Sequence, residues 1–113
     1  MANRLCGLLG IARRAGHLLI GFDAVKAGML SGKAKLVLLA ADCSEKTEKE
    51  LRFVGENTPC TLCPVPATKD ELSGALGLQK PVAVVATDDA GFAVGFAKAI
   101  AADGTHTKED VAL

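Results

Sequence analysis

The chain predicts a single α/β domain: a three-layer α/β/α sandwich on a four-stranded, mixed or mostly parallel sheet with helices on both faces. Three observations carry this expectation. Residues 35–41 (KLVLLAA) hold no polar side chain after the first, and residues 82–86 (VAVVA) hold none at all. A half-exposed strand would alternate, so both runs read as central strands covered on two sides. Two shorter strand signals and five helical ones fill the remaining chain in the order α-β-α-β-α-β-α-β-α, the habit of a layered α/β fold. Finally, the 113 residues are 50% hydrophobic but only 4% aromatic, with no Trp or Tyr. That length suits one core, packed from Leu, Val, Ile and Ala.

Leu5, Leu8, Leu9 and Ala12 share a helical face, which predicts a first helix over residues 3–14. Gly7 and Gly10 weaken it, each by up to about 1 kcal/mol against Ala. Arg13 and Arg14 close it where cations suit the helix dipole, and Gly16 stops it. Residues 17–20 form a short apolar strand. After the Gly21 turn, Asp23 is placed to cap a second helix with Phe22, Val25 and Met29 on one face, ended by Ser31-Gly32. The central strand 35–41 follows, then Asp42-Cys43-Ser44, with Ser44 as N-cap of a helix over 45–57. Its pairs Glu45–Lys49, Lys46–Glu50 and Glu48–Arg52 are all spaced i,i+4, the pattern of a solvated outer helix. Pro59, Pro64 and Pro66 bracket a strand over 60–65, and proline cannot donate to a ladder, so this strand belongs at or near an edge. Thr68-Lys69-Asp70-Glu71 has capping-box spacing and opens a short helix that Gly74 and Gly77 terminate. Residues 78–81 are a loop before the strand 82–86. Thr87-Asp88-Asp89 then caps a last helix bearing Phe92, Phe96, Ala97 and Ile100. The domain is expected over 1–102, with 103–113 a frayed tail.

Thirteen basic and thirteen acidic side chains cancel, which argues against a wholly nonspecific basic nucleic-acid binder. Their distribution is uneven. Residues 1–35 hold Arg4, Arg13, Arg14, Lys26, Lys33 and Lys35 against Asp23 alone, a surplus of five that the rest of the chain cancels. Such polarity suggests one basic face for an anionic partner. No run approaches the roughly 18 apolar residues of a membrane span, and no signal-peptide pattern opens the chain. Four cysteines without an export signal point to free thiols in a reducing cytoplasm.

Cys60-x-x-Cys63 lacks the second pair a zinc site needs. It also lies in a strand rather than at a helix start, so buried apolar thiols on opposite sheet faces explain it better. His17 and His106 form no recognisable catalytic set with Ser or Asp. Asp88-Asp89 reads as a helix cap before it reads as a metal pair, and the glycines match no nucleotide-binding fingerprint. What remains is positional. Gly21–Asp23, Asp42–Ser44, and the loop from Gly77 to Pro81 with the Thr68–Lys69 turn all sit at helix ends. In a layered α/β fold such loops gather where ligands bind. Backbone N–H groups at a glycine-led helix start suit phosphate, with Lys26, Lys69 and Lys80 adding charge.

The segments GLLGIARRAG (7–16), LIGFDAVKAG with SGKAKLVLLAADCS (19–44), ATKDELSGALGL (67–78) and PVAVVATDDAGFA (81–93) together resemble the bacterial members of the large-subunit ribosomal protein seven-Ae/thirty-e family, whose better-known members bind RNA kink-turns. Their order and spacing fit over about four-fifths of the chain. The resemblance implies the sandwich fold and a non-enzymatic, cytoplasmic protein that binds structured RNA, ribosomal RNA in particular, in the company of ribosomal proteins. It implies no cofactor, no membrane and no DNA. The expected RNA surface comprises Gly21, Phe22, Asp23, Ser44, Lys69, Gly77, Leu78, Gln79 and Lys80, with phosphate contacts from Arg13, Arg14, Lys26 and Lys33. The family reads its RNA with a Gly-x-Asn-Glu-x-x-Lys segment. Laid from Gly21, the Asn position holds Asp23, the Glu position Ala24 and the Lys position Ala27, with Lys26 one place early. Asp23 has no amide donor, and Ala24 cannot accept from a guanine edge. Two other uses of the same face follow: a relative without base readout that docks a protein, or a binder of small phosphorylated molecules.

Overall fold

The computed structural model describes residues 3–58 and 60–104. Nine elements follow in the expected alternation among these residues: α1 (Asn3–Arg14), β1 (Leu18–Ile20), α2 (Phe22–Leu30), β2 (Leu36–Leu39), α3 (Glu45–Gly55), β3 (Thr61–Pro64), α4 (Lys69–Leu76), β4 (Val84–Thr87) and α5 (Ala90–Gly104). β2 and β3 cover the middles of their apolar runs, whereas β4 begins two residues into its run and extends to Thr87, which pairs with both Leu18 and Leu36. Pro59 lies outside the described residues. So does the tail beyond Gly104, with His106; Asp103 and Gly104 themselves continue α5 rather than fraying.

The sheet order is β1-β4-β2-β3. β2 and β4, the strands of the two long apolar runs, lie in the middle with every residue buried, and β3 takes an edge beside its prolines. The sheet is mixed rather than mostly parallel. β2 pairs β3 in parallel (Leu38 opposite Cys63), whereas β4 runs antiparallel to β2 (Leu38 opposite Val85) and to β1 (Leu19 opposite Ala86). A mixed sheet is one of the two arrangements expected, and β4 runs antiparallel because the link from β3 through α4 passes β2 and re-enters the sheet at the end it left.

Strand alternation divides the core in two. Leu36, Leu38, Ala40 and Val85 face α1, α4 and α5, where Leu5, Leu9, Leu72, Leu76, Phe96 and Ala99 are fully or almost fully buried. Val37, Leu39, Val84 and Ala86 face α2 and α3, meeting Val25, Met29, Leu51 and Val54. The three layers are therefore α1/α4/α5, sheet, α2/α3. Cys60 packs with the second layer and Cys63 with the first, on opposite faces, and both are only partly buried. Burial pushes the Cys63 thiol above its ordinary pKa, so it is less thiolate and less reactive than a free cysteine.

The helix ends show which local signals were right. Ser44 caps α3, accepting from Thr47 N–H at 3.2 Å. Thr68 and Glu71 form a full capping box on α4, and Asp89 caps α5 by accepting from Phe92 N–H at 2.9 Å. Thr87 instead finishes β4, its buried hydroxyl donating to the His17 carbonyl at 2.8 Å. Asp88 pairs with His17 Nδ1 at 2.9 Å. Asp23 is not a cap: Gly21 occupies that position, and Asp23 is an exposed residue of the first turn. Gly74 does not end α4, which continues to Leu76 and stops at left-handed Gly77. On α3, Glu48 and Arg52 pair as expected at 2.8 Å, but Glu50 leaves its own helix to bind Lys26 of α2, also at 2.8 Å.

Candidate functional site

Strand direction decides where the loops go. β1, β2 and β3 run the same way and β4 runs against them. The links that follow β1, β2 and β3 therefore share one end of the sheet with the link that precedes β4. Backbone hydrogen bonds stitch this rim together. Gly21 N–H donates to Val84 O at 3.0 Å, Ala40 N–H to Ala83 O and Ala41 N–H to Ala67 O, both at 2.8 Å. Asp42 Oδ1 accepts from Lys69 N–H at 2.8 Å, which fixes the start of α4 beside the start of α3. Gly21, Ser44, Lys69 and the Gly77–Lys80 loop are thus brought to one rim.

Each member is held by local chemistry. Gly21 has φ 94° and ψ 162°, and no side chain caps the α2 N-terminus behind it. Helix starts of that kind present N–H groups and a partial positive charge to an anion. The backbone angles are essentially open only to glycine, although a Cβ there would meet nothing within 4 Å. Gly21→Ala is therefore expected to destabilise the chain by roughly 1–3 kcal/mol through conformation alone, and thermal unfolding measures it. An unchanged melting temperature would show that the turn relaxes freely. Phe22 is half-buried, with the Lys26 ammonium 5.8 Å from its ring centre.

On the other side of the rim, Gly77 is left-handed (φ 72°), and the loop beyond it exposes Gln79 and Lys80. Ile20, Leu78, Gln79, Lys80, Pro81 and Val82 line an open groove of about 430 Å³ between this loop and the end of β1. Cys43 lies beneath the rim. Burial pushes its thiol pKa up, Glu48 and Asp42 push the same way, and the Lys69 charge pulls against them.

The other expected basic residues are engaged by the protein itself or lie away from the rim. Lys26 keeps its place near Gly21 but is engaged by Glu50. Lys33 follows α2 toward the start of β2, at the far end of the sheet, where Lys35 N–H donates to Thr87 O at 2.8 Å. Arg13 Nη1 donates to the carbonyl of Leu76, so Arg13 closes the C-terminus of α4; Arg14 lies back over Gly10. The surplus of positive charge in residues 1–35 therefore does not become one basic face. The rim carries Lys69 and Lys80 beside exposed Asp23, Asp42, Asp70 and Glu71, and two of those carboxylates are occupied by backbone N–H groups. Three rim features had no sequence signal strong enough to find: the Asp42 tie, the Glu50 hold on Lys26, and a buried Ser73 behind the loop. Among the described residues, no group of three His, Cys, Asp or Glu is placed to hold a metal ion.

Comparison with known proteins adds the following. The model of the ribosomal protein L7Ae/L30e/S12e/Gadd45 family matches residues 3–96. The chain is 37% identical over 89 residues to RNA-binding protein YlxQ of Bacillus subtilis, covering 76% of this chain and 84% of that one. It is 29% identical over 83 residues to large ribosomal subunit protein eL30B of Schizosaccharomyces pombe, covering 74% and 71%. Among solved structures, a protein of unknown function from Bacillus halodurans C superposes with a TM-score of 0.79 at 31% identity, over 86% of this chain and 96% of that one. The 15.5kD RNA binding protein of Giardia lamblia has the same fold, with a TM-score of 0.71 at 19% identity over 88% and 84%.

Proposed function

Because the chain belongs to the ribosomal protein L7Ae/L30e/S12e/Gadd45 family, we propose that it is an RNA-binding protein whose RNA surface is the rim of Gly21, Ser44, Lys69 and the Gly77–Lys80 loop. The named relatives are RNA-binding and ribosomal proteins rather than enzymes, and this chain is likewise non-enzymatic. The observation that carries the proposal is the convergence of an uncapped, glycine-led helix start with Lys69 and Lys80 on one sheet end. Structured RNA suits such a surface. Helix N–H groups and lysines take phosphates, while the apolar groove beside Leu78 takes a base or ribose that leaves the stack. Ribosomal RNA is the expected source.

Phosphate contacts set the register here more than base readout does. Asp23, Ala24 and Ala27 are all exposed, so the positions are free to reach RNA, but none carries an amide or ammonium. With Lys26 engaged by Glu50 and Lys33 at the far end of the sheet, Lys69 and Lys80 are taken to meet about two phosphates. The logarithm of affinity should fall with the logarithm of salt at a slope of roughly −1.8, or nearer −1.4 on single strands. Titrating a kink-turn hairpin and an unstructured RNA across a salt series measures this. Affinity that ignores salt, or that is equal for both RNAs, would remove the proposal. The absent base-reading groups also favour a second reading, in which the rim docks a protein. That one predicts a partner retained after nuclease treatment.

A further inference from the structure

α4 buries one polar side chain, Ser73, on the face that carries Leu72 and Leu76. It is 5% exposed. A hydroxyl in such a place is unfavourable unless it is hydrogen-bonded, and a helical serine ordinarily turns to a carbonyl of its own preceding turn. Ser73 does not. Its Oγ lies 3.0 Å from the Leu78 carbonyl and 2.7 Å from the Lys80 carbonyl, while its own carbonyl accepts from Leu78 N–H at 2.9 Å. A hydroxyl has one proton, so the two carbonyls share it. Both lie in the loop that projects Gln79 and Lys80 into solvent.

The same loop is held at its two ends. Arg13 donates to the carbonyl of Leu76 just before it, and Val82 N–H donates to Lys69 O at 3.4 Å just after it. The middle of the loop has Ser73. We propose that Ser73 is a positioning residue for RNA: by clasping the Leu78 and Lys80 carbonyls, it holds the loop in its binding shape before RNA arrives. This rests on the RNA-binding reading of the rim. Its physical content is preorganisation: a loop already ordered loses less conformational freedom when it binds.

Two measurements test it. In the chain without RNA, the Leu78 and Val82 amides should exchange hydrogen slowly. In Ser73→Ala they should exchange roughly tenfold faster, while the Val37 to Leu39 amides stay as they were, since loss of a shared donor opens the loop locally. Ser73→Ala should also weaken binding of a kink-turn hairpin roughly tenfold, and Lys80→Ala should then cost less in that background than in the unmodified chain, because the two act together. Fast exchange of these amides in the unmodified chain overturns the proposal. So do unchanged exchange in Ser73→Ala, or a Lys80→Ala effect that is equal in both backgrounds. If the unmodified chain binds no RNA at all, the function of the rim falls with it; if it binds and Ser73→Ala binds equally well, this inference alone is lost.

Discussion

Reversing both rim lysines, Lys69→Glu together with Lys80→Glu, is expected to weaken RNA binding by at least about a hundredfold at moderate salt. The two sit on different segments, one in the first turn of α4 and one in the loop that returns toward β4, but strand direction brings both to the same sheet end. Each substitution removes a proposed phosphate contact and sets a carboxylate in its place, so attraction becomes repulsion. The change should grow as salt is lowered, and the salt slope of what binding remains should flatten by nearly two. Lys33→Glu with Lys35→Glu is the matched control, because it makes the same charge change at the opposite end of the sheet. If the control pair loses as much affinity as the rim pair, binding follows overall charge and the rim has no special part in it. Folding is not at issue in either variant. Lys69 contributes its backbone N–H to Asp42, which Glu retains, and Lys80 contributes its carbonyl to Ser73.

The largest effect on stability is expected at Phe96. Its ring has no exposed surface and lies in the layer formed by α1, α4 and α5, with the Phe92 ring centre 6.1 Å away. Phe96→Ala should cost about 3–5 kcal/mol, against the roughly 5–15 kcal/mol that holds a domain of this size together. Thermal unfolding should then shift down by roughly 10–20 °C. Phe53 supplies the comparison: it is 67% exposed on α3, and Phe53→Ala should shift the transition by no more than a few degrees. Equal shifts for the two variants would contradict the burial that separates them.

How far the sequence could be read depended on the range of the interactions involved. The two apolar runs identified β2 and β4 as central because burial on both faces leaves no alternation, and the structure puts both there. The prolines around residues 60–65 marked an edge for a reason internal to proline, and β3 is at the edge. Ser44 and the Thr68–Glu71 box were legible because a cap and its partner lie within four residues of each other. Asp23 was misread because a capping residue stands outside the helix, whereas Asp23 is already in the first turn of α2. Gly21, with positive φ, took the capping position instead. The charge surplus misled for a different reason. Lys26 found Glu50 and Arg13 found the Leu76 carbonyl, 24 and 63 residues away, and no local pattern announces such partners.

The amino-acid order alone determined the number and kind of elements, the layers and the family, because periodicity, capping and turn chemistry act over a few residues. Tertiary structure alone decided that β4 runs antiparallel, and the site depends on that choice. In an all-parallel sheet the link before a strand and the link after one lie at opposite ends, which would have separated the Leu78–Lys80 loop from Gly21 and Ser44. Turning β4 around puts them on one rim, a result set by how α4 packs against α1 and the sheet.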